Sequence, residues 1–262
     1  MLQKSKRKTK QMFKSPSKTK ERILLFGGPG VGKSSAALHI AKFYAQTSTP
    51  GTIYIADSDN AATRMLEGAY SDLTNVEVLP MYEWDDYLKL RQMKFGPNDW
   101  LSIDFISTAW QSVQDWYADQ VFNRDMATQI MYARQRVEQQ GDKRAMALDG
   151  WRDWPAINGM YFRWLNETTS REKVHVLGVA PAKTLSDSDD GKIVSLVKNV
   201  GWRPAGQRDL IHQFHTALYL DKPGVEYVFT SVKDRERKLV TNHQNTRFSI
   251  SYLQEIAGWS VE

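Results

Sequence analysis

The sequence predicts an α/β chain: a mostly parallel central sheet flanked by helices, extended near its C-terminal end by antiparallel hairpins. Three observations carry this. Gly27-Gly28-Pro29-Gly30-Val31-Gly32-Lys33-Ser34 fits the pattern GxxxxGK[ST] at every fixed position, between an apolar run and a helical pattern. Apolar, β-branched runs then alternate with helical spacing as far as residue 179. Beyond residue 215 the pattern changes to short strands separated by turn residues.

Taken in order, Ile23-Leu24-Leu25-Phe26 has the character of a buried strand and sets the first strand near 22–26. A helix follows near 33–46, and Thr47 to Gly51 is a loop. Thr52 to Ala56 is β-branched and aromatic, a second strand, with a helix over about 60–70. Val76 to Pro80 is a third strand, and residues 83–93 form a helix rich in aromatic and charged groups. Gly96-Pro97-Asn98-Asp99 is a turn into a fourth strand, Trp100 to Asp104. Residues 109–140 keep helical spacing throughout. A soft, charged stretch covers about 138–150, a helix 154–170, and Val174 to Val179 a fifth strand. Thr216 to Leu220, Glu226 to Thr230 and a stretch near 246–250 are the hairpin strands. No internal repeat is evident.

Composition sets the bounds. A chain of 262 residues with 41% hydrophobic and 11% aromatic content can bury a sizeable core in one domain. The division expected is an arm over 1–20 and one domain over 21–262. No apolar run has the length of a membrane span, and no signal-peptide pattern opens the chain. The absence of cysteine excludes disulfides, thiolate metal sites and cysteine nucleophiles, and fits a cytoplasmic setting. The net charge of +5 is unevenly spread. Residues 1–20 carry eight Lys/Arg and no acid, leaving 27 basic against 30 acidic residues elsewhere. Such an arm suits a tether to nucleic acid by phosphate neutralisation, or a solubilising tail or localisation signal. Most of the nine tryptophans suit packing, with base stacking open to one or two.

The glycine-rich stretch carries the chemistry. Glycines let successive N–H groups converge on an anion, and the following helix adds its positive end. Residues Gly27, Gly28, Pro29, Gly30, Val31, Gly32, Lys33, Ser34 and Ser35 are therefore expected to hold the phosphates of ATP. Lys33 reaches the β- and γ-phosphates, and the Ser34 hydroxyl takes one Mg²⁺ position. Asp104, ending an apolar strand, is the candidate acid on Mg²⁺. Asp59, with Asp57 second, is the candidate base for a water; both also suit caps for the helix that follows. His212 and His215 have no further ligand cluster near them in sequence and are read as packing groups.

The order of these features resembles the RecA-type recombinase ATPases, closest to compact phage nucleotide-binding proteins of the single-strand-annealing type. The resemblance spans about 22–240 and implies a RecA-like P-loop NTPase fold. It also implies an oligomer with ATP between subunits, single-stranded DNA as partner, and a phage-infected bacterial cytoplasm as setting. Trp154 to Leu165 and then Val174 to Val179 resemble the family's helix and strand behind the site. Ser231-Val232-Lys233-Asp234-Arg235 resembles its Lys-x-Arg element, which implies that Lys233 and Arg235 stabilise charge in a neighbouring subunit's site. Residues 182–208 stand where the family has a mobile DNA-binding loop. There Lys183, Lys192, Lys198, Arg203 and Arg208, with Trp202, suit a single strand, although Asp187, Asp189 and Asp190 oppose phosphate. The chain departs from the family in having Asp59 where a Glu is usual, and Ala180-Pro181 where a polar sensor is usual.

Two other classes stay open. A small-molecule P-loop kinase could use Arg134, Arg136, Lys143 and Arg144 as a lid, though terminal hairpins are untypical of one. A nucleotide-gated scaffold with little turnover would suit the departures at Asp59 and Ala180-Pro181.

Overall fold

The computed structural model of the protein describes residues 20–46, 51–141, 148, 152–169, 174–187, 189–235 and 243–244. Nearly all of the basic arm, Lys143, Arg144, Trp151 and the strand expected near 246–250 lie outside these residues.

The strands are β1 (Arg22–Gly27), β2 (Ile53–Asp57), β3 (Val76–Pro80), β4 (Trp100–Asp104), β5 (His175–Thr184), β6 (Trp202–Pro204), β7 (Thr216–Asp221), β8 (Val228–Asp234) and β9 (His243–Gln244). The helices are α1 (Ser35–Tyr44), α2 (Ala61–Leu66), α3 (Trp84–Leu90), α4 (Ile106–Phe122), α5 (Met126–Gln140), α6 (Asp153–Thr169) and α7 (Gly191–Val197), with a 3₁₀ turn at Arg208–Gln213. The sheet runs β3-β2-β4-β5-β1-β7-β8-β9. From β3 through β7 every neighbouring pair is parallel; β8 and β9 are antiparallel additions. The architecture is α/β, a mostly parallel sheet flanked by helices with a terminal antiparallel hairpin extension.

Alternation along β1 divides the interior. Ile23 and Leu25 face a core built with Ala37, Ile40 and Phe43 of α1 and Ile53 and Ile55 of β2. Leu24 and Phe26 face the other core, with Leu101, Ile103, Val176, Tyr161 and Trp164. Both faces are thus covered, which explains the continuous apolar runs. Trp84, Trp100 and Trp164 are buried outright. The Trp164 indole N–H donates to Tyr87 O at 2.7 Å, so its polar edge is satisfied.

Three sequence expectations are corrected. The helical pattern over 109–140 is two helices. Asn123 takes a left-handed conformation at the end of α4, and the Asp125 carboxylate accepts the Thr128 N–H at 2.8 Å to open α5. Side-chain spacing alone did not reveal the break, because each helix keeps helical spacing up to it. Strand β5 continues five residues past Val179, through Pro181 to Thr184. Residues 182–208 are accordingly folded: β6 pairs back on β5, with α7 between them.

Candidate functional site

Strand β1 delivers the chain into the glycine-rich loop at the C-terminal edge of the parallel sheet. Gly27 is required by close approach: a Cβ there would lie 2.3 Å from Leu220 O and 2.9 Å from Val31 Cγ2. Gly32 turns the loop at φ +83°, a region that side chains disfavour. Ser34 occupies the N-cap of α1 with no side-chain cap, and its hydroxyl is close enough to Asp104 to lower that group's pKa. Ser35 donates to Gly32 O at 3.1 Å and braces the turn. Lys33 is buried and folds back on the loop, donating to Gly28 O at 2.5 Å, with its ammonium 5.9 Å from the Phe105 ring centroid. Burial lowers the Lys33 pKa, and the Asp104 charge opposes that shift.

Asp104 ends β4 and is buried. Its strand is not the neighbour of β1; β5 lies between them, and β2 lies one strand further out. The loop still reaches Asp104 electrostatically, through Lys33 and Ser34. Burial pushes the Asp104 pKa up to about 6, helped by the Asp59 and Asp57 charges and restrained by Ser34 and Lys33. Its Oδ1 atom is buried with no hydrogen-bond partner. An acceptor held dry and unsatisfied beside a hydroxyl and an ammonium fits Mg²⁺, directly or through water. Magnesium needs only one or two protein oxygens when phosphates supply others, so a protein cage is not required. No group of three or more His, Cys, Asp or Glu that could hold a metal ion is present among the described residues.

Parallel register sets Asp57 of β2 directly beside Asp104. Asp57 is buried and caps α2, accepting Ala62 N–H at 3.1 Å and Thr63 N–H at 3.4 Å. Burial raises its pKa. Asp59 is exposed and accepts Ala61 N–H at 3.1 Å. Both carboxylates therefore cap α2, and the charge of each also raises the Asp104 pKa. Sequence reasoning missed Ser58. Its N–H and hydroxyl each donate to Asp104 O at 2.9 Å, and the Phe105 N–H donates to Ser58 Oγ at 3.0 Å. The Asp104–Phe105 peptide is cis. A serine between two aspartates carries no motif, so only the fold discloses this role.

Other expected residues lie apart. β8 runs antiparallel to β7, which puts Lys233 level with Leu24 and Arg235 level with Arg22, about 10 Å and about 17 Å from Gly27 along the strand direction. The Lys233 ammonium donates to Ile211 O at 2.8 Å, His212 O at 3.2 Å and Phe214 O at 2.5 Å, and its pKa falls to about 8 through burial and then the Arg235 charge. All three of its donors are engaged, so in this conformation it is a clamp on the 3₁₀ turn. Arg235 is exposed, near Arg22. Of the residues expected to meet nucleic acid, Lys183, Lys192, Lys198 and Trp202 are exposed beyond the C-terminal edge of the sheet. Arg203 is not: it is buried, with Nε 2.8 Å from Asp189 Oδ1 and Nη1 donating to Pro204 O at 3.2 Å. The same pair removes Asp189 from the surface that the other cations share. Asp189 also accepts from Ser186 N and Oγ; those bonds and the Arg203 charge hold its pKa low against burial.

No family model matches the chain, and no curated protein matches it. Among solved structures it is similar to a KaiC-like protein of the hyperthermophilic archaeon Pyrococcus horikoshii, with a TM-score of 0.41 and 13% identity over 85% of this chain and 82% of that one. No helix among the described residues is long and apolar enough to cross a membrane.

Proposed function

We propose that the chain is a RecA-like ATPase that binds Mg·ATP, hydrolyses it, and acts on single-stranded DNA as a homo-oligomer in phage-type recombination, annealing or replication. The observation that carries the nucleotide reading is the convergence of Lys33, the Ser34 hydroxyl and the unsatisfied Asp104 Oδ1 at one sheet edge. Mg²⁺, when bound, neutralises phosphate charge; Ser34 and Asp104 are the residues that would hold it. Loop N–H groups and Lys33 bind the phosphates. Asp59 orients the attacking water and accepts its proton, with Asp57 beside it. Arg235 serves a neighbouring protomer's site from the far edge of the sheet. For a DNA partner, the support is the exposure of Lys183, Lys192, Lys198 and Trp202 on the side of the sheet that holds the phosphate loop.

The test is ATP turnover by the purified protein, alone and with single-stranded DNA, beside a Lys33→Ala control, with mass measured with and without nucleotide. Turnover that rises with DNA and is abolished in the control is expected. Nucleotide binding without turnover in either condition would replace this reading with that of a nucleotide-gated scaffold.

A further inference from the structure

The phosphate loop has two flanks. On one side of β1 lie β5 and β4, with Asp104 and the Ser34 contact. On the other lies β7, whose Leu220 carbonyl packs against Gly27. A nucleoside triphosphate is polar along its length. Its metal-bound end belongs with Asp104, so the nucleoside leaves the loop on the β7 side. The first residues met there are the β7–β8 connection, 222–227.

That connection touches the loop. A Cβ built on Gly32 would lie 3.7 Å from Cε1 and 3.8 Å from Cδ1 of Tyr227. The Tyr227 ring is half-buried, so part of it is open to solvent beside the loop. Lys222 fixes the ring from the other end of the turn, donating to its hydroxyl at 3.2 Å with the ammonium 4.5 Å from the ring centroid. An aromatic ring seated on a phosphate loop, on the flank away from the metal position, is a stacking surface for a base.

We propose that Tyr227 is the platform on which the base of the bound nucleotide stacks, with Lys222 holding the ring in place. This rests on the reading of residues 27–35 as a nucleotide site. Stacking uses the π-face that every base possesses, so the contact adds affinity for nucleotides over bare polyphosphate. It also links occupancy of the loop to the C-terminal hairpin.

The test compares binding of ATP and inorganic tripolyphosphate, both with Mg²⁺, by calorimetry on the full chain and on Tyr227→Ala, Tyr227→Leu and Tyr227→Phe. Leu keeps bulk against Gly32 without a π-face, and Phe keeps the ring. In both Ala and Leu variants ATP affinity should fall about tenfold, the size of one stacking contact, with tripolyphosphate unchanged and Phe close to the parent. Unchanged ATP affinity in the Leu variant would overturn the proposal. So would an equal loss for both ligands, which would make Tyr227 a prop for the loop. Failure of the parent chain to bind either ligand would instead remove the nucleotide site itself, and this platform with it.

Discussion

At the scale of single residues, the site holds its acid at a cost to the ligand-free fold. Asp104 is buried, with one oxygen unsatisfied and its pKa pushed up to about 6. The folded protein then binds this proton more tightly than the unfolded chain. The stability it contributes is full below about pH 4 and is lost as pH rises through 6. Above that, an ionised Asp104 costs about 2–3 kcal/mol. We expect Asp104→Asn to raise the melting temperature of the nucleotide- and Mg²⁺-free protein at pH 8, to leave it nearly unchanged at pH 4, and to lose Mg·ATP binding. His175 has the opposite sign. It is buried, stacked on Trp100 with ring centroids 4.9 Å apart, and its Nδ1 accepts the Glu21 N–H at 3.0 Å. Burial, with the Lys20 charge, depresses its pKa to about 3. The folded form therefore takes up fewer protons below the unfolded value of about 6.5, and stability falls by about 1.4 kcal/mol per pH unit there. His175→Gln, which keeps an acceptor without the titration, should reduce the loss of melting temperature between pH 6.5 and 5. The phosphate loop and Asp104 were legible in the sequence because glycine, lysine and a strand-end acid sit at fixed spacings. Ser58, Phe105 and Tyr227 were not, because the fold brings them there from separate segments with no local pattern.

At the scale of elements, the sequence showed where strands and helices lie better than how they connect. The strands from 22 to 104 fall where their apolar runs predict, since both faces of each inner strand are covered. Strand order was less legible: nothing local says that β5 slides between β1 and β4. The 182–208 stretch looked like a loop because its polar residues hide a pair that closes it, Asp189 with Arg203. Breaking that pair by Arg203→Ala leaves a buried carboxylate without its cation. We expect a loss of about 3 kcal/mol, read as a fall in denaturation midpoint, with Mg·ATP affinity retained. Lys233 plays a comparable part for the 3₁₀ turn. Lys233→Met leaves three carbonyls without their donor, and a loss of about 2–3 kcal/mol is expected in the same assay.

At the scale of the whole molecule, the sheet separates chemistry by edge. The phosphate loop, Asp104 and the exposed cations Lys183, Lys192 and Lys198 lie towards one edge; Arg235 lies at the other. Arg235 therefore cannot serve its own loop, and any catalytic part it plays comes from a neighbour. Arg235→Ala and Lys33→Ala should each be inactive alone. Mixed in equal amounts before assembly, they should recover about a quarter of parental turnover, the share of head-to-tail interfaces that join an intact loop to an intact arginine. No recovery, with co-assembly verified by mass, would deny Arg235 that part. Strand β5 gives the loop edge a mechanical character. It runs unbroken for ten residues, anchored first between β1 and β4 and then, past Pro181, against β6. An extended strand has little slack to absorb displacement. A shift of Ala180 beside the phosphate loop would be handed on to Thr184 and across to its partner Trp202, like a push on one end of a rod.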